Sequence, residues 1–130
     1  MKNKFLEVGE PGYHPLRKVK VMLAGLRYAV LHDFSVLYKL IVSIVVLVLS
    51  LYFHAWVDTA MVLLATGVVL AAELFNTTIE ALCDFVDPLY NEKIRIVKNI
   101  ASAAVGMVML AWLIVLGVEC VDVWSTVTSS

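Results

Sequence analysis

The sequence predicts an all-α membrane protein: an N-terminal amphipathic surface helix followed by three transmembrane helices. Three observations predict it. Hydrophobic residues make up 62% and charged residues 16% of the 130 positions, against roughly 45–50% and about 25% in soluble domains, so lipid is the expected solvent and an ordinary soluble domain is excluded. Three apolar runs are each long enough to cross a bilayer core of about 30 Å, which takes around 20 helical residues. Finally, every Lys and Arg falls before or at the opening of the first run, or between the second and the third.

The elements follow in order. Residues 1–15, with Gly9-Glu10-Pro11-Gly12 and His14-Pro15, read as a flexible arm. No short apolar stretch follows Met1, so a cleaved signal peptide is not expected. Across residues 16–33, Leu16, Val19, Met22, Leu23, Leu26, Ala29 and Val30 share one helical face, with Arg17, Lys18, Lys20 and Arg27 on the other. A basic amphipathic helix joined to a span suits the headgroup interface. The first span is expected over about 38–56, with Ser43 and Ser50 as its small polar members. The second is expected over about 60–86, where Pro88 sets the latest stop, and the third over about 98–118, opened by Lys98. Residues 16–118 thus form the membrane domain, and residues 119–130 a tail outside it. Tyr52, Phe53, Trp56 and Trp124 suit an interfacial aromatic belt.

Charge gives the direction. Lys2, Lys4, Arg17, Lys18, Lys20, Arg27 and Lys39 precede or open span one, and Lys93, Arg95 and Lys98 lie between spans two and three. The loop from His54 to Thr59 and the tail carry only Asp58, Glu119 and Asp122. The positive-inside rule then puts the N-terminus in the cytoplasm and the C-terminus outside. Cys83 and Cys120 fall on opposite sides of the membrane in this topology and are expected to be unpaired.

The chemistry is concentrated in one segment. Glu73, Asn76, Thr77, Glu80 and Asp84 fall on one stripe of span two. Carboxylates at membrane depth are expensive if they face lipid, so they are expected to face protein or water and to be functional. Glu73 and Glu80 are two turns apart, about 10 Å along the axis, which favours separate roles over joint chelation of one ion. Glu80, nearer the cytoplasm, can meet a metal–nucleotide complex; Glu73, deeper, can meet a group arriving from the bilayer and act as a base. Lys98 opens span three near the level of Glu80, and Asp33 ends the surface helix there. Acidic groups for Mg²⁺, a lysine for phosphate and a deeper base are what phosphoryl transfer from ATP requires. No Walker-type loop and no soluble-kinase signature is present.

The string Ala72-Glu73-Leu74-Phe75-Asn76-Thr77-Thr78-Ile79-Glu80-Ala81 resembles the E-x-x-N-[ST]-x-[IV]-E signature of the bacterial membrane diacylglycerol kinase and undecaprenol kinase family. Val97-Lys98-Asn99-Ile100-Ala101-Ser102-Ala103-Ala104-Val105 resembles that family's second signature, a lysine–aspartate pair before a small-residue run. The resemblance covers roughly residues 16–118. It implies ATP-dependent phosphorylation of a membrane lipid alcohol at the cytoplasmic face of the bacterial inner membrane, by a homotrimer whose sites are shared between subunits. It further implies Glu73 and Asn76 as catalytic residues, Glu80 and Asp33 as Mg²⁺ ligands, and Lys98, Asn99 and Glu80 as the nucleotide contacts. The chain has Asp33 where the family usually has Glu, and Asn99 where it typically has Asp. Lys98 and Asn99, taken to open a helix, would place phosphate at a helix N-terminus. The alternative reading is a non-catalytic membrane protein: a degenerate family member, or a transporter or channel subunit with a polar helix stripe.

Overall fold

A computed structural model describes residues 15–53 and 56–129. Most of the expected N-terminal arm, and His54 and Ala55 of the expected first loop, lie outside the described residues. Among the described residues four helices follow in order: α1 (Pro15–His32), α2 (Phe34–Tyr52), α3 (Trp56–Val86) and α4 (Glu92–Thr128). The last three are each long and apolar enough to cross a membrane. The chain divides into two units, Met1–Asp33 and Phe34–Ser130.

In the first unit, α1 begins on Pro15, whose fixed φ suits the first helical position and whose missing N–H costs nothing there. At its other end the His32 ring nitrogen Nδ1 donates to the Tyr28 carbonyl at 2.8 Å, and the two rings stack with centroids 4.1 Å apart. Leu16, Met22 and Leu23 of the apolar face are exposed.

In the second unit α3 packs against both α2 and α4. The register is set by side-chain bonds. Tyr38 of α2 lies at the level of Met109 of α4, Trp112 Nε1 donates to Ser43 Oγ at 3.0 Å, and Ser50 bonds Glu119. Residue numbers rise together in α2 and α4, so these two run parallel and α3 runs antiparallel to both. Val46, Val62, Val69, Trp112 and Leu116 form the apolar centre. Around it are buried polar groups, Lys39, Ser43, Ser50, Thr66, Glu73 and Glu119, while Ile44, Val45, Leu63, Leu64, Leu110 and Ile114 face outward. In a lipid solvent polar groups gain by turning inward and apolar ones lose nothing by turning out, which accounts for this distribution.

The helix ends differ from the expected span limits for a physical reason. α4 opens at Glu92, well before residue 98, because Asn91 is a formed N-cap: its backbone is extended (φ −136°, ψ 120°) and its side chain accepts from the Lys93 N–H at 3.0 Å. α4 also continues past residue 118, and its last carbonyls accept from Ser and Thr hydroxyls, among them Thr128 to Trp124 (3.0 Å) and Ser129 to Ser125 (2.8 Å). Hydropathy marks where lipid ends, whereas a capped helix continues into water. Lys98 and Asn99 therefore stand about 9–10 Å inside α4 at about 1.5 Å per residue. The expectation that they present phosphate with a helix N-terminus is corrected accordingly.

The lengths of α3 and α4, 31 and 37 residues, come to about 46 and 55 Å, against about 28 Å for the 19 residues of α2. With Tyr38 level with Met109, the start of α4 and the end of α3 together project past the start of α2. A short turn joins them: Asp87 accepts from the Leu89 N–H and from the Asn91 amide, and Pro88 prevents α3 from continuing.

Candidate functional site

The polar stripe of α3 begins under cover of α2 and ends beyond it, and its exposure rises in step. Glu73 is buried, Asn76, Thr77 and Glu80 are half-buried, and Asp84 is exposed. A single helix thus carries acidic groups from a buried position to an exposed one.

At the buried end Glu73 (5% exposed) forms an ion pair with Lys39 (1% exposed) in the second turn of α2. Ser35 Oγ donates to Glu73 Oε1 at 2.9 Å, and Lys39 Nζ also donates to Ser35 Oγ at 2.7 Å. The ammonium lies 4.7 Å from the centroid of the Tyr38 ring, a favourable place for a cation. Lys39 was expected among the cytoplasmic cations that set topology; here it is an interior group whose partner is the deepest carboxylate of the stripe. The signal was present in the sequence, since Ser35, Lys39, Ser43 and Ser50 recur at spacings of 4, 4 and 7 on one face of an otherwise apolar helix.

One turn on, Asn76 Nδ2 donates to Glu80 Oε1 at 2.9 Å, and Asn76 Oδ1 is buried with no hydrogen-bond partner among the described residues. Reversing the amide would set two oxygens against each other, so this orientation is the one the geometry supports. A buried amide oxygen without a donor costs stability. Beside the Glu80 carboxylate it is a second hard oxygen, suited to a cation or to a donor on a ligand. Mg²⁺ characteristically takes one or two carboxylates and completes its shell with phosphate oxygens and water. Among the described residues no three His, Cys, Asp or Glu gather into a metal cluster.

At the exposed end Lys98 Nζ bonds Asp84 Oδ1 at 2.5 Å, which ties α4 to α3 beside the stripe. Asn99 is exposed. Asp33 follows α1 in the first unit, where its N–H bonds the Ala29 carbonyl at 2.7 Å. Glu73, Asn76, Glu80 and Lys98 therefore lie along one stretch of the α3–α4 pair, and Asp33 belongs to the other unit. Cys83 and Cys120 are both free thiols, as expected.

Comparison with known proteins agrees with the residues. No curated protein matches the chain. The family described as prokaryotic diacylglycerol kinase matches over residues 20–119, a stretch that runs from within α1 through the stripe and most of α4. This multi-pass membrane chain belongs to the prokaryotic diacylglycerol kinase family, whose members are lipid kinases and include undecaprenol kinases.

Proposed function

We propose that this chain transfers the γ-phosphoryl group of ATP to the hydroxyl of a membrane lipid alcohol, diacylglycerol or undecaprenol, at the cytoplasmic face of the membrane. The observation that carries this reading is the gradient along α3, from buried Glu73 through half-buried Asn76 and Glu80 to exposed Asp84 and its partner Lys98. One substrate comes from lipid and the other from water, and such a stripe meets each in its own solvent.

In this reading Glu73 is the general base. It takes the proton of the lipid hydroxyl as that oxygen bonds the γ-phosphorus. The bond from phosphorus to the β–γ bridging oxygen breaks, and its electron pair leaves on ADP. Asn76 orients Glu80, and Glu80 would hold Mg²⁺, whose contribution is to neutralise phosphate charge. Lys98 and Asn99 contact the nucleotide. Lys98 must then exchange Asp84 for phosphate, which an exposed pair permits because such pairs are weak. The distribution of Lys and Arg supports an N-terminus inside and a C-terminus outside. The exposed small residues Ser102, Ala103, Ala104 and Gly106 of α4 support close packing against another copy, as a homotrimer would need.

The test is a substrate panel: purified protein, Mg-ATP, and diacylglycerol, undecaprenol and other lipid alcohols side by side. Phosphorylation of at least one is expected, and the preferred one names the substrate. A folded protein that phosphorylates none would favour the non-catalytic alternative, in which Asn99 marks a degenerate nucleotide site.

A further inference from the structure

We propose that Lys39 is a positioning residue for the Glu73 base, holding the carboxylate charged and aimed through one oxygen so that the other is presented to the lipid hydroxyl. The inference rests on the reading of Glu73 as the base and adds the device that makes a base at that depth workable.

Burial and basicity conflict at Glu73. A carboxylate 5% exposed inside a membrane bundle is costly unless paired, yet a base must be ionised to accept a proton. Lys39 removes the conflict by bringing a compensating cation to the same depth, itself 1% exposed. The cation is in turn held: it donates to Ser35 and lies against the Tyr38 ring, and both neighbours are on α2. The arrangement is also directional. Lys39 and Ser35 both donate to Oε1 of Glu73, so Oε2 is the oxygen left for the acceptor hydroxyl. Two donors from one helix, four residues apart, fix the carboxylate's rotation as a single ion pair would not. The base sits on α3 while its orientation is set by α2, and the stripe on α3 alone does not contain this information.

The test is a mutant cycle on the full-length protein in detergent or lipid, with kcat, the KM for ATP and gel filtration measured throughout. Lys39→Met is expected to lower kcat on the order of 10²-fold, the effect of misplacing a reacting group by about 1 Å, with the KM for ATP within about twofold. Lys39→Arg keeps the charge and is expected to retain kcat within about tenfold of wild type. Because Lys39 acts only through Glu73, Lys39→Met added to Glu73→Gln is expected to lower the rate no further. That double variant also removes both charges together, so it strands neither and carries the test if Lys39→Met alone does not assemble. Three results overturn the proposal: a folded Lys39→Met with wild-type kcat, a Lys39→Arg as slow as Lys39→Met, or a double variant slower than Glu73→Gln. The underlying reading fails separately, if Glu73→Gln itself turns over at the wild-type rate. Loss of activity in Glu73→Gln with none in Lys39→Met removes Lys39 and leaves the base in place.

Discussion

Asn99 lies exposed on α4 next to Lys98, inside the helix and away from its N-terminus. As the proposed nucleotide contact, it would act as one side chain and not through a helix dipole. An amide accepts a hydrogen bond as a carboxylate does, but a charged acceptor makes a bond roughly twice as strong. A difference of about 1 kcal/mol corresponds to about fivefold in affinity. We predict that Asn99→Asp lowers the apparent KM for ATP by about that factor and leaves the maximal rate similar. Steady-state kinetics on the two proteins decide it; a maximal rate that changes while KM does not would assign Asn99 to the chemical step. The residues of the stripe were legible one by one in the sequence, because each is a polar group where lipid forbids an idle one. Lys39 was legible as a member of a polar face with Ser35, Ser43 and Ser50, but its partner Glu73 was not. A lysine near the start of a span satisfies the topology rule whether it faces water or a carboxylate, and only the packing of α2 on α3 distinguishes the two.

At the scale of the elements, two polar links hold α2 in register from its two ends. Lys39 ties its second turn to α3, and Ser50 ties its last turn to Glu119 of α4, with Ser43 and Trp112 between them. Ser50 and Glu119 are buried, 0% and 3% exposed. They lie at the opposite end of α2 from the stripe, so they are structural in this account. Ser50→Ala removes only the hydroxyl and leaves the carboxyl of Glu119 without its donor, a loss of about 1–3 kcal/mol. The expected outcome is a lower thermal midpoint in detergent with unchanged kcat for the protein that remains folded. A kcat that falls with stability intact would mean that this end communicates with the site. The helices themselves were largely readable from apolar runs and Pro88. Their ends were not, because the caps at Asn91 and in the Ser/Thr-rich terminus depend on hydrogen-bond geometry that hydropathy does not encode.

At the scale of the whole molecule, three helices long and apolar enough to cross a membrane would put the two ends of the chain on opposite sides. The α3–α4 turn must be cytoplasmic if ATP is to reach Glu80 and Lys98. In a background with Cys83 and Cys120 replaced, a cysteine at Ser129 should react with an impermeant reagent in intact cells, and one at Tyr90 should not. Tyr90 is the better site in the turn because it is exposed, whereas Asn91 is committed to the cap. The reverse pattern would place the stripe on the wrong side for ATP and remove the kinase site with it. The measurement closest to the central claim is phosphate transfer from Mg-ATP to a lipid alcohol, compared between the wild type and Glu73→Gln, with Lys39→Met/Glu73→Gln beside them because the single change strands the Lys39 charge. Transfer by the wild type to at least one alcohol of the panel is expected, with a loss of at least the ~10²-fold typical of a missing general base in both variants. Near-normal transfer by a folded Glu73→Gln protein, or none by a folded wild type, would contradict that claim.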